Sequence, residues 1–335
     1  MNEDYDIQNL ANEEVAVRDY LLRKAHPAPD VQVELDDFMH RQGVGKSRAL
    51  KISMGVVAAV AASLLLLFVL NTGKHRLDIP EGAVVAYEAS NDETCQGVTL
   101  QKGDEAPVVV KGNHVYTTVS NVPAETVVRN VLSTPQNATA DVILSDGTEV
   151  TLNADSRLIY PQCFNGNTRE VELQGEAYFK VHHDAKHPFV VHAGSVNTKV
   201  LGTEFNVRAY AANDSHVTLL QGSVMVSSSS LSKVIKPGED VAFNGTSLSV
   251  RSVDTEEFTA WKQGEFYFDN ETLLDIAKAI GRWYNVSVIF QNPEKMHTHL
   301  FFAAPKNINL QELVEVLNGL NKAKFVYHNG QLVIE

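Results

Sequence analysis

Cysteine and basic residues are both scarce in this sequence. Two cysteines, Cys95 and Cys163, in 335 residues exclude a scaffold held together mainly by disulfides. The 28 Lys and Arg residues are outnumbered by 41 Asp and Glu residues, which gives a formal net charge of −13. Such acidity argues against nonspecific binding of nucleic acid. Whether the two cysteines pair stays open, because sequence spacing gives no distance between their Cα atoms.

Motifs of catalysis and of metal binding are also missing. The sequence contains no G-x-S-x-G nucleophile turn, no P-loop and no H-E-x-x-H pair. Histidines cluster within 182–192 and again at His297 and His299; in a strand the last two would face the same side. Neither cluster has the cysteine or carboxylate spacing of a zinc site, so surface histidines are the preferred interpretation. We therefore expect a protein that is not an enzyme and holds neither metal nor cofactor.

One long apolar run dominates what is present. Residues 52–70 read ISMGVVAAVAASLLLLFVL, without a charge or a proline. At about 1.5 Å per residue a helix of this length measures about 28 Å, close to the ~30 Å hydrocarbon core of a bilayer. A buried helix of a soluble core would keep a polar stripe, and a cleaved signal peptide would not follow some fifty other residues. The sequence predicts one transmembrane helix.

Positive charge flanks this run unequally. The bases nearest to it are Arg41, Lys46, Arg48 and Lys51 on the N-terminal side and Lys74 and Arg76 on the C-terminal side. An excess of Lys and Arg marks the cytoplasmic side of a membrane helix. We therefore predict a cytoplasmic N-terminus, with roughly 50 residues inside and roughly 265 residues outside.

The segment before the run, residues 1–51, is acidic. Its first 40 residues carry ten acids and three bases. Apolar residues recur at helical spacing in two stretches, one containing Leu21 and the other containing Leu35 and Phe38. Two short helices bury too little apolar surface to be stable alone. A poorly ordered tail and a module that docks on a basic cytoplasmic protein are both compatible with this pattern, and we prefer the second.

The residues after the run divide into three regions. Residues 71–130 contain short strand-like runs and are compatible with a spacer or a small β-unit. In residues 131–255 short alternating runs separated by turn signals predict an all-β domain of the sandwich, roll or barrel type. Asp146–Gly147 indicates a hairpin turn, and Gln174–Gly175 indicates another turn.

Residues 260–335 change to an α+β pattern. Strand-like and helical runs alternate in the order β-α-β-β-α-β-β. We predict that Asp269 or Asn270 caps the first helix and Asn309 the second. Asn329–Gly330 indicates the turn of a closing hairpin. The fold class is thus a multidomain membrane protein with a short helical segment, one transmembrane helix, an all-β domain and an α+β domain.

A succession of segments carries a family resemblance. In order they are 144–161, 169–181, 187–194, 200–210, 217–226 and 236–241, beginning with LSDGTEVTLNADSRLIYP and ending with KPGEDV. This succession resembles the FecR family, single-span anti-sigma regulators of Gram-negative bacteria. Residues 260–335, with the stretch GRWYNV at 281–286, resemble the C-terminal domain of Bacteroidetes-type members and, more loosely, the short N-terminal signalling domain of secretins and TonB-dependent receptors.

The resemblance implies two binding partners on opposite sides of the inner membrane. In the cytoplasm the acidic segment would bind an extracytoplasmic-function sigma factor, through Leu21, Leu35, Asp36, Asp37 and Phe38. In the periplasm the closing hairpin would bind the signalling domain of a TonB-dependent outer-membrane transporter, through Phe325, Tyr327, Leu332 and Ile334. Periplasmic and intramembrane proteases are further candidate partners, and no direct nucleic-acid binding is expected.

The resemblance also draws attention to Gly202–Thr203, because some FecR-like proteins split themselves at such a bond. A threonine hydroxyl can attack the preceding carbonyl, and glycine on the acyl side tolerates a strained backbone. The dipeptide is equally a plain strand entry, which is the preferred interpretation. Two other functions stay open: a membrane-anchored periplasmic module that binds carbohydrate or another envelope component, and a membrane-tethered hydrolase, which the missing nucleophile motifs disfavour.

Overall fold

The computed structural model describes residues 82–90, 97–110, 112, 114–116 and 128–335. All of them belong to the compact unit Ile79–Glu335. The predicted sigma-binding segment and the predicted transmembrane helix lie outside the described residues. Within the described ranges, no helix is both long and apolar enough to cross a membrane.

A β-sandwich forms the larger part. After β1 (Val84–Tyr87), which joins a different sheet, sixteen strands of the described chain form one continuous sheet. They are β2 (Thr99–Lys102), β3 (Val108–Val109), β4 (His114–Tyr116), β5 (Arg129–Thr134), β6 (Ala140–Ile143), β7 (Glu149–Leu152), β8 (Ser156–Pro161), β9 (Arg169–Lys180), β10 (Phe189–Ala193), β11 (Val196–Val200), β12 (Glu204–Ala211), β13 (Asp214–Gln221), β14 (Val224–Ser228), β15 (Leu231–Ile235), β16 (Glu239–Phe243) and β17 (Leu248–Ser252).

Strand β9 joins the two arms of this sheet. Its first half pairs with β8 and β10, and its second half pairs with β7 and β12. The strand bends at Gly175, where φ is +102° and a Cβ atom would lie only 2.7 Å from Ser156 Cα. The turn predicted at Gln174–Gly175 is therefore wrong. Glycine here lets one long strand bend and admits a close neighbour without interrupting the pairing.

The two arms close over one apolar core. Alternate residues of the strands point inward, and Leu132, Leu158 and Val217 are fully buried in it. Phe179 and Phe205 stack there with their ring centroids 5.1 Å apart. The prediction of an all-β domain is confirmed. So is the hairpin at Asp146–Gly147, since β6 and β7 pair antiparallel on either side of it.

The C-terminal domain follows a short 3₁₀ turn at Ala260–Gln263. Its elements are β18 (Glu265–Thr272), α1 (Leu273–Tyr284), β19 (Ser287–Phe290), β20 (His299–Pro305), α2 (Leu310–Gly319), β21 (Phe325–His328) and β22 (Gln331–Ile334), with a second 3₁₀ turn at Pro293–His297. Their order is the one derived from the sequence. Strand β18 pairs with β20, while a second sheet has the order β1-β19-β22-β21.

The helix caps follow the prediction at one helix and depart from it at the other. Asn309 caps α2 by accepting a hydrogen bond from Glu312 N. The cap of α1 is Thr272, whose side chain accepts from Asp275 N. The prediction of Asp269 or Asn270 is wrong because β18 continues past both, through an irregularity at which Asn270 has φ +53°.

The region 71–130 is divided between the two parts of the molecule, as far as it is described. Strands β2, β3 and β4 join the sandwich. Strand β1 instead pairs antiparallel with β19, with Val84 opposite Phe290. This pairing spans about two hundred residues of sequence and leaves no local pattern from which it could be predicted.

Candidate functional site

Buried polar side chains gather where the sandwich meets the C-terminal domain. Lys306, directly after β20, is 6% exposed and points toward the sandwich. Its Nζ donates to Asn153 Oδ1 at 3.4 Å. The Asn153 and Asn206 amides in turn donate to the two carboxylate oxygens of Glu176, at 2.8 and 2.9 Å. A chain of hydrogen bonds thus runs from the C-terminal domain into the buried face of β9.

Three aromatic rings surround the Lys306 ammonium group. Nζ lies 4.5 Å from the ring centroid of Trp283, 5.4 Å from that of Phe266 and 5.9 Å from that of Trp261. Rings at such distances attract a cation through their negative faces. Burial nevertheless lowers the pKa of Lys306 to about 8, although the nearby Glu176 carboxylate acts in the opposite direction. The positive charge is therefore held at a cost.

The same junction contains an incompletely bonded indole. Trp261 Nε1 is buried and finds no hydrogen-bond acceptor among the described residues. A cavity of about 70 Å³ lies beside it, lined by Trp261, Lys306 and Glu176 together with other residues of both parts. Space of this size accommodates ordered water, which would satisfy the indole.

Two arginines reinforce the junction. The Arg282 guanidinium carbon, at the end of α1, lies 4.0 Å from the ring centroid of Tyr210 in β12. Arg251 of β17 bonds Asp240 within the sandwich at 3.4 Å and Glu271 of β18 at 3.3 Å. The Arg282–Tyr210 and Arg251–Glu271 contacts join the two parts by cation–ring stacking and by charge. Changes at this junction would therefore alter the contact between the sandwich and the C-terminal domain.

A second buried cation lies entirely inside the sandwich. Arg169 at the start of β9 is 3% exposed, and its Nη1 bonds Asp146 Oδ2 at 2.6 Å. Its guanidinium also donates to the backbone carbonyl oxygens of His182 and His187, at 2.9 and 2.8 Å. The sequence identified Asp146 only as a turn residue. An Arg at the start of an alternating strand gives no local sign that it is buried.

The clustered histidines contact separate partners. His187 Nδ1 lies 2.7 Å from Asp184 Oδ2, and His192 Nδ1 lies 2.6 Å from Asn197 Oδ1. His299 Nδ1 lies 2.6 Å from the carbonyl oxygen of Asn270. Among the described residues, no three His, Cys, Asp or Glu side chains are placed to hold a metal ion.

The cysteine pairing stays open. Cys163 is a free thiol as far as the described residues go. Cys95 lies outside the described residues.

Gly202 and Thr203 lie just before β12. Thr203 is buried, and its hydroxyl donates to the Ser223 carbonyl oxygen at 3.2 Å. Gly202 packs so closely on His183 that a Cβ atom there would lie 2.7 Å from His183 Cα. The glycine thus has a packing role, and the threonine hydroxyl already has an acceptor. Self-cleavage stays a prediction.

The predicted receptor-binding residues of the closing hairpin are mostly in the core. Phe325, Leu332 and Ile334 are buried, with the last two completely so, whereas Tyr327 is 39% exposed. Strand β21 nevertheless lies at the edge of its four-stranded sheet in the described structure. A partner at this hairpin would therefore meet the edge of β21 and Tyr327 rather than the other three side chains. The predicted sigma-binding residues lie outside the described residues.

A groove of about 890 Å³ lies on the part of the sheet formed by β5, β8, β9 and β10, and its volume is typical of ligand sites. Its lining includes Arg157, Phe164, Glu170 and His192. Glu170 and His192 lie side by side on the paired strands β9 and β10, with His192 Nε2 3.3 Å from Glu170 Oε2. Sequence reasoning did not find this groove, because its walls come from four separate strands and a loop.

Known proteins resemble both described parts. Residues 130–225 match the family described as FecR protein, and residues 265–334 match the family described as FecR, C-terminal. Comparison with curated proteins found no match. A crystal structure at 1.65 Å resolution of a candidate anti-sigma factor from Parabacteroides distasonis ATCC 8503 is 27% identical, with a TM-score of 0.57, and the match covers 61% of this chain and 98% of that chain.

A second crystal structure with the same description, at 2.50 Å resolution, gives the same identity and TM-score and covers 62% of this chain and 98% of that chain. The two family matches follow one another in the order derived from the sequence, and the structural match extends over more than half of the chain. Over residues 130–225 and 265–334 the chain is therefore similar to FecR proteins and to their C-terminal domain.

Proposed function

We propose that this chain is a single-span anti-sigma factor of the inner membrane. Its residues 1–51 bind an extracytoplasmic-function sigma factor in the cytoplasm, and its periplasmic parts receive a signal from a TonB-dependent outer-membrane transporter. The observation that carries the proposal is the match of both described parts to FecR families, together with the likeness to a candidate anti-sigma factor. The apolar run at residues 52–70 supplies the connection between the two sides.

The contact with the sigma factor can be tested most directly. A fragment of residues 1–45 should bind the cognate sigma factor through Leu21, Leu35 and Phe38, with Asp36 and Asp37 steering the encounter. Asp36→Lys combined with Asp37→Lys should slow association and weaken its dependence on salt. Glu13→Lys combined with Glu14→Lys makes the same change in net charge elsewhere and is the matched control. No affinity of the unsubstituted fragment would exclude the proposal.

Topology is tested separately. Periplasm-active reporters fused after Lys51 should be silent, and those fused after Arg76 should be active, because the basic residues before the run outnumber those after it. The opposite pattern would place the acidic segment on the wrong side of the membrane for a sigma factor.

On the periplasmic side the edge of β21 is the proposed contact with the transporter's signalling domain. An edge strand offers backbone groups to an incoming strand. The Asn318 side chain already bonds Phe325 N and O, which leaves the backbone of the exposed Tyr327 for such pairing. Deleting residues 324–335 removes β21 and β22 and should abolish induction while leaving the chain in the membrane. Since that deletion also removes core residues, Tyr327→Pro is the sharper variant, because Lys324 and Val326 face β22 whereas the N–H of Tyr327 faces the free edge. Normal induction by both variants would contradict this contact.

Self-cleavage at Gly202–Thr203 is a further proposed property. Mass spectrometry of the purified periplasmic region should show new termini at Gly202 and Thr203, and these should vanish in Thr203→Ala. An intact chain after long incubation would exclude the reaction. The hydrogen bond from the Thr203 hydroxyl to Ser223 O would have to break before the hydroxyl could attack.

The groove on the sandwich favours a second candidate function, a membrane-anchored module that binds carbohydrate or another envelope component. Its charged side chains and the Phe164 ring are groups suited to sugars, which present hydroxyls on their edges and apolar faces. This alternative predicts that residues 1–51 are dispensable, so deletion of residues 1–40 with unchanged cellular function would favour it over the anti-sigma role.

A further inference from the structure

Residues 84–90 lie in a shaped site on the C-terminal domain. Strand β1 adds to the edge of β19, with Val85 opposite Ile289, and the register then shifts before Tyr87 reaches Val288. The pairing is therefore short and irregular. It is also an attachment at one side only, since β1 is the terminal strand of its sheet.

Gly281 of α1 creates a notch for the Tyr87 ring. A Cβ atom at Gly281 would lie 2.6 Å from Tyr87 Cδ1 and 2.8 Å from its Cγ, distances that real contacts do not reach. The ring thus packs directly on the bare helix backbone. A glycine inside a helix lowers the stability of the helix by about 1 kcal/mol relative to alanine. At Gly281 the missing side chain leaves room for the Tyr87 ring.

Two side chains beyond the notch fix the backbone that follows. Ser287 Oγ accepts from Ala89 N at 3.0 Å. Asn285 makes two hydrogen bonds with Ser90, accepting from its N at 2.9 Å and donating to its O at 3.1 Å. Asn285 has φ +51° and ends α1. The stretch 281–287 is therefore a receptor for an extended peptide, made of a notch, a paired strand edge and an amide clamp.

The same stretch also touches the junction. Arg282 stacks on Tyr210 of the sandwich. Trp283 Nε1 donates to the carbonyl oxygen of Lys306 at 2.9 Å. A displacement at the end of α1 therefore affects the strand site and the contact with the sandwich together.

We propose that the edge of β19, the Gly281 notch and the Asn285–Ser287 clamp form a strand-binding site, and that release of its occupant, residues 84–90 of the same chain, is the step that passes a signal toward the membrane. Thirteen residues separate β1 from the predicted transmembrane helix at 52–70. This inference rests on the proposed function for the meaning of the signal. The site itself is independent of it.

Burial indicates that β1 opens more easily than β22 of the same sheet. Val84 and Val85 are each 36% exposed, whereas Leu332 and Ile334 of β22 are fully buried. Strand β22 is paired on both sides, with β19 and β21. Edges with few buried contacts open locally without global unfolding.

Hydrogen exchange on the full chain in nanodiscs tests the site. The peptide covering residues 84–90 should exchange at least 100-fold faster than the peptide covering β22. Gly281→Ala should speed exchange of 84–90 at least a further tenfold and leave β22 unchanged. Gly319→Ala is the matched control, because a Cβ atom there meets nothing within 4 Å, and it should change neither.

A second variant covers the case in which Gly281→Ala does not fold. Asn285→Gly keeps the left-handed backbone and removes both hydrogen bonds with Ser90, so exchange of 84–90 should rise severalfold. Exchange of 84–90 as slow as that of β22, or no change in any variant that folds, would overturn the strand-binding site as a releasable contact.

A transcription reporter in cells tests the coupling. Val85→Cys with Ile289→Cys places two thiols on directly opposite residues and should lock β1 once oxidised. Basal sigma-dependent expression should differ at least threefold between this locked chain and Gly281→Ala, with each single cysteine variant resembling the unsubstituted chain. Equal expression would overturn the coupling. A full chain that does not repress at all would instead reject the proposed function, and the exchange experiment would still decide on the site.

Discussion

Two buried cations hold different parts of this molecule, and they are compensated in different ways. Arg169 inside the sandwich meets a carboxylate at 2.6 Å and backbone carbonyl oxygens at 2.8 and 2.9 Å. Lys306 at the junction meets one amide oxygen at 3.4 Å and the faces of three rings. The first cation thus makes short, charge-assisted hydrogen bonds. The second cation has one long hydrogen bond and three aromatic rings as its partners.

The difference separates a contact that fixes structure from one that can be altered. Removing the Arg169 side chain would leave the Asp146 carboxylate with Thr148 as its donor but without its cation. The loss of one partner of a buried ion pair is strongly destabilising. Lys306 already bears a cost, because burial lowers its pKa to about 8. We conclude that the Arg169–Asp146 pair stabilises the sandwich, whereas the buried charge of Lys306 is held at the junction at a cost in free energy. Each prediction below would break or sharpen this contrast.

The largest effect is expected inside the sandwich. Arg169→Met should lower the free energy of unfolding by about 3–5 kcal/mol, since it breaks a buried pair, measured by urea denaturation of the region 79–335. Arg129→Ala is the control, because its ion pair with Glu172 is exposed; it should cost less than about 1 kcal/mol. Similar losses of stability in both variants would show that the buried ion pair stabilises the fold no more than the exposed one.

The bend of β9 should give the next largest effect. Gly175→Ala combines a positive φ with a collision against Ser156 and should cost about 2–4 kcal/mol. Gly264→Ala has φ +79° but open space around it, so it isolates the backbone term at about 1–2 kcal/mol. A loss at Gly175 no larger than that at Gly264 would mean that Ser156 moves aside easily.

A smaller, pH-dependent effect is expected beside the junction. Burial raises the pKa of Glu257 to about 7, with Glu271 adding and Arg251 opposing. An acid whose pKa is raised on folding costs stability as the pH rises from its unfolded value, 4.5, through 7. Glu257→Gln should therefore be neutral at pH 4 and stabilising at pH 8, by about 1 kcal/mol after allowance for solvent screening. If the difference in stability between Glu257→Gln and the unsubstituted protein were the same from pH 4 to pH 8, Glu257 would not titrate in this range.

The sequence predicted those strands, helices and caps that depend on residues close together in the chain. Alternation predicted the all-β domain, and helical spacing predicted the two helices of the C-terminal domain. Asn309 was identified as a cap because capping is a contact between near neighbours. Where prediction failed, at Gly175 and at the start of α1, a strand continued through a residue that usually ends one.

The junction and the strand site could not be predicted, because their partners are far apart in sequence. Lys306 and Asn153 are separated by 153 residues, and Asn285 and Ser90 by 195. Gly281, Arg282 and Trp283 stood out in the sequence as part of one stretch. Only the structure shows that each of the three contacts a different segment, respectively β1, β12 and the residue after β20.

The most direct test of the contrast is the pH dependence of Lys306→Met stability. A lysine whose pKa falls from 10.5 to about 8 on folding binds more protons when unfolded, so its cost is greatest below pH 8 and fades toward pH 10.5. The rings offset part of this cost. We predict that Lys306→Met is between neutral and about 3 kcal/mol more stable than the unsubstituted region 79–335 at pH 7, and that this difference falls by about 2 kcal/mol at pH 9.5. A Lys306→Met variant destabilised at pH 7 as strongly as Arg169→Met, with no change at pH 9.5, would contradict the account.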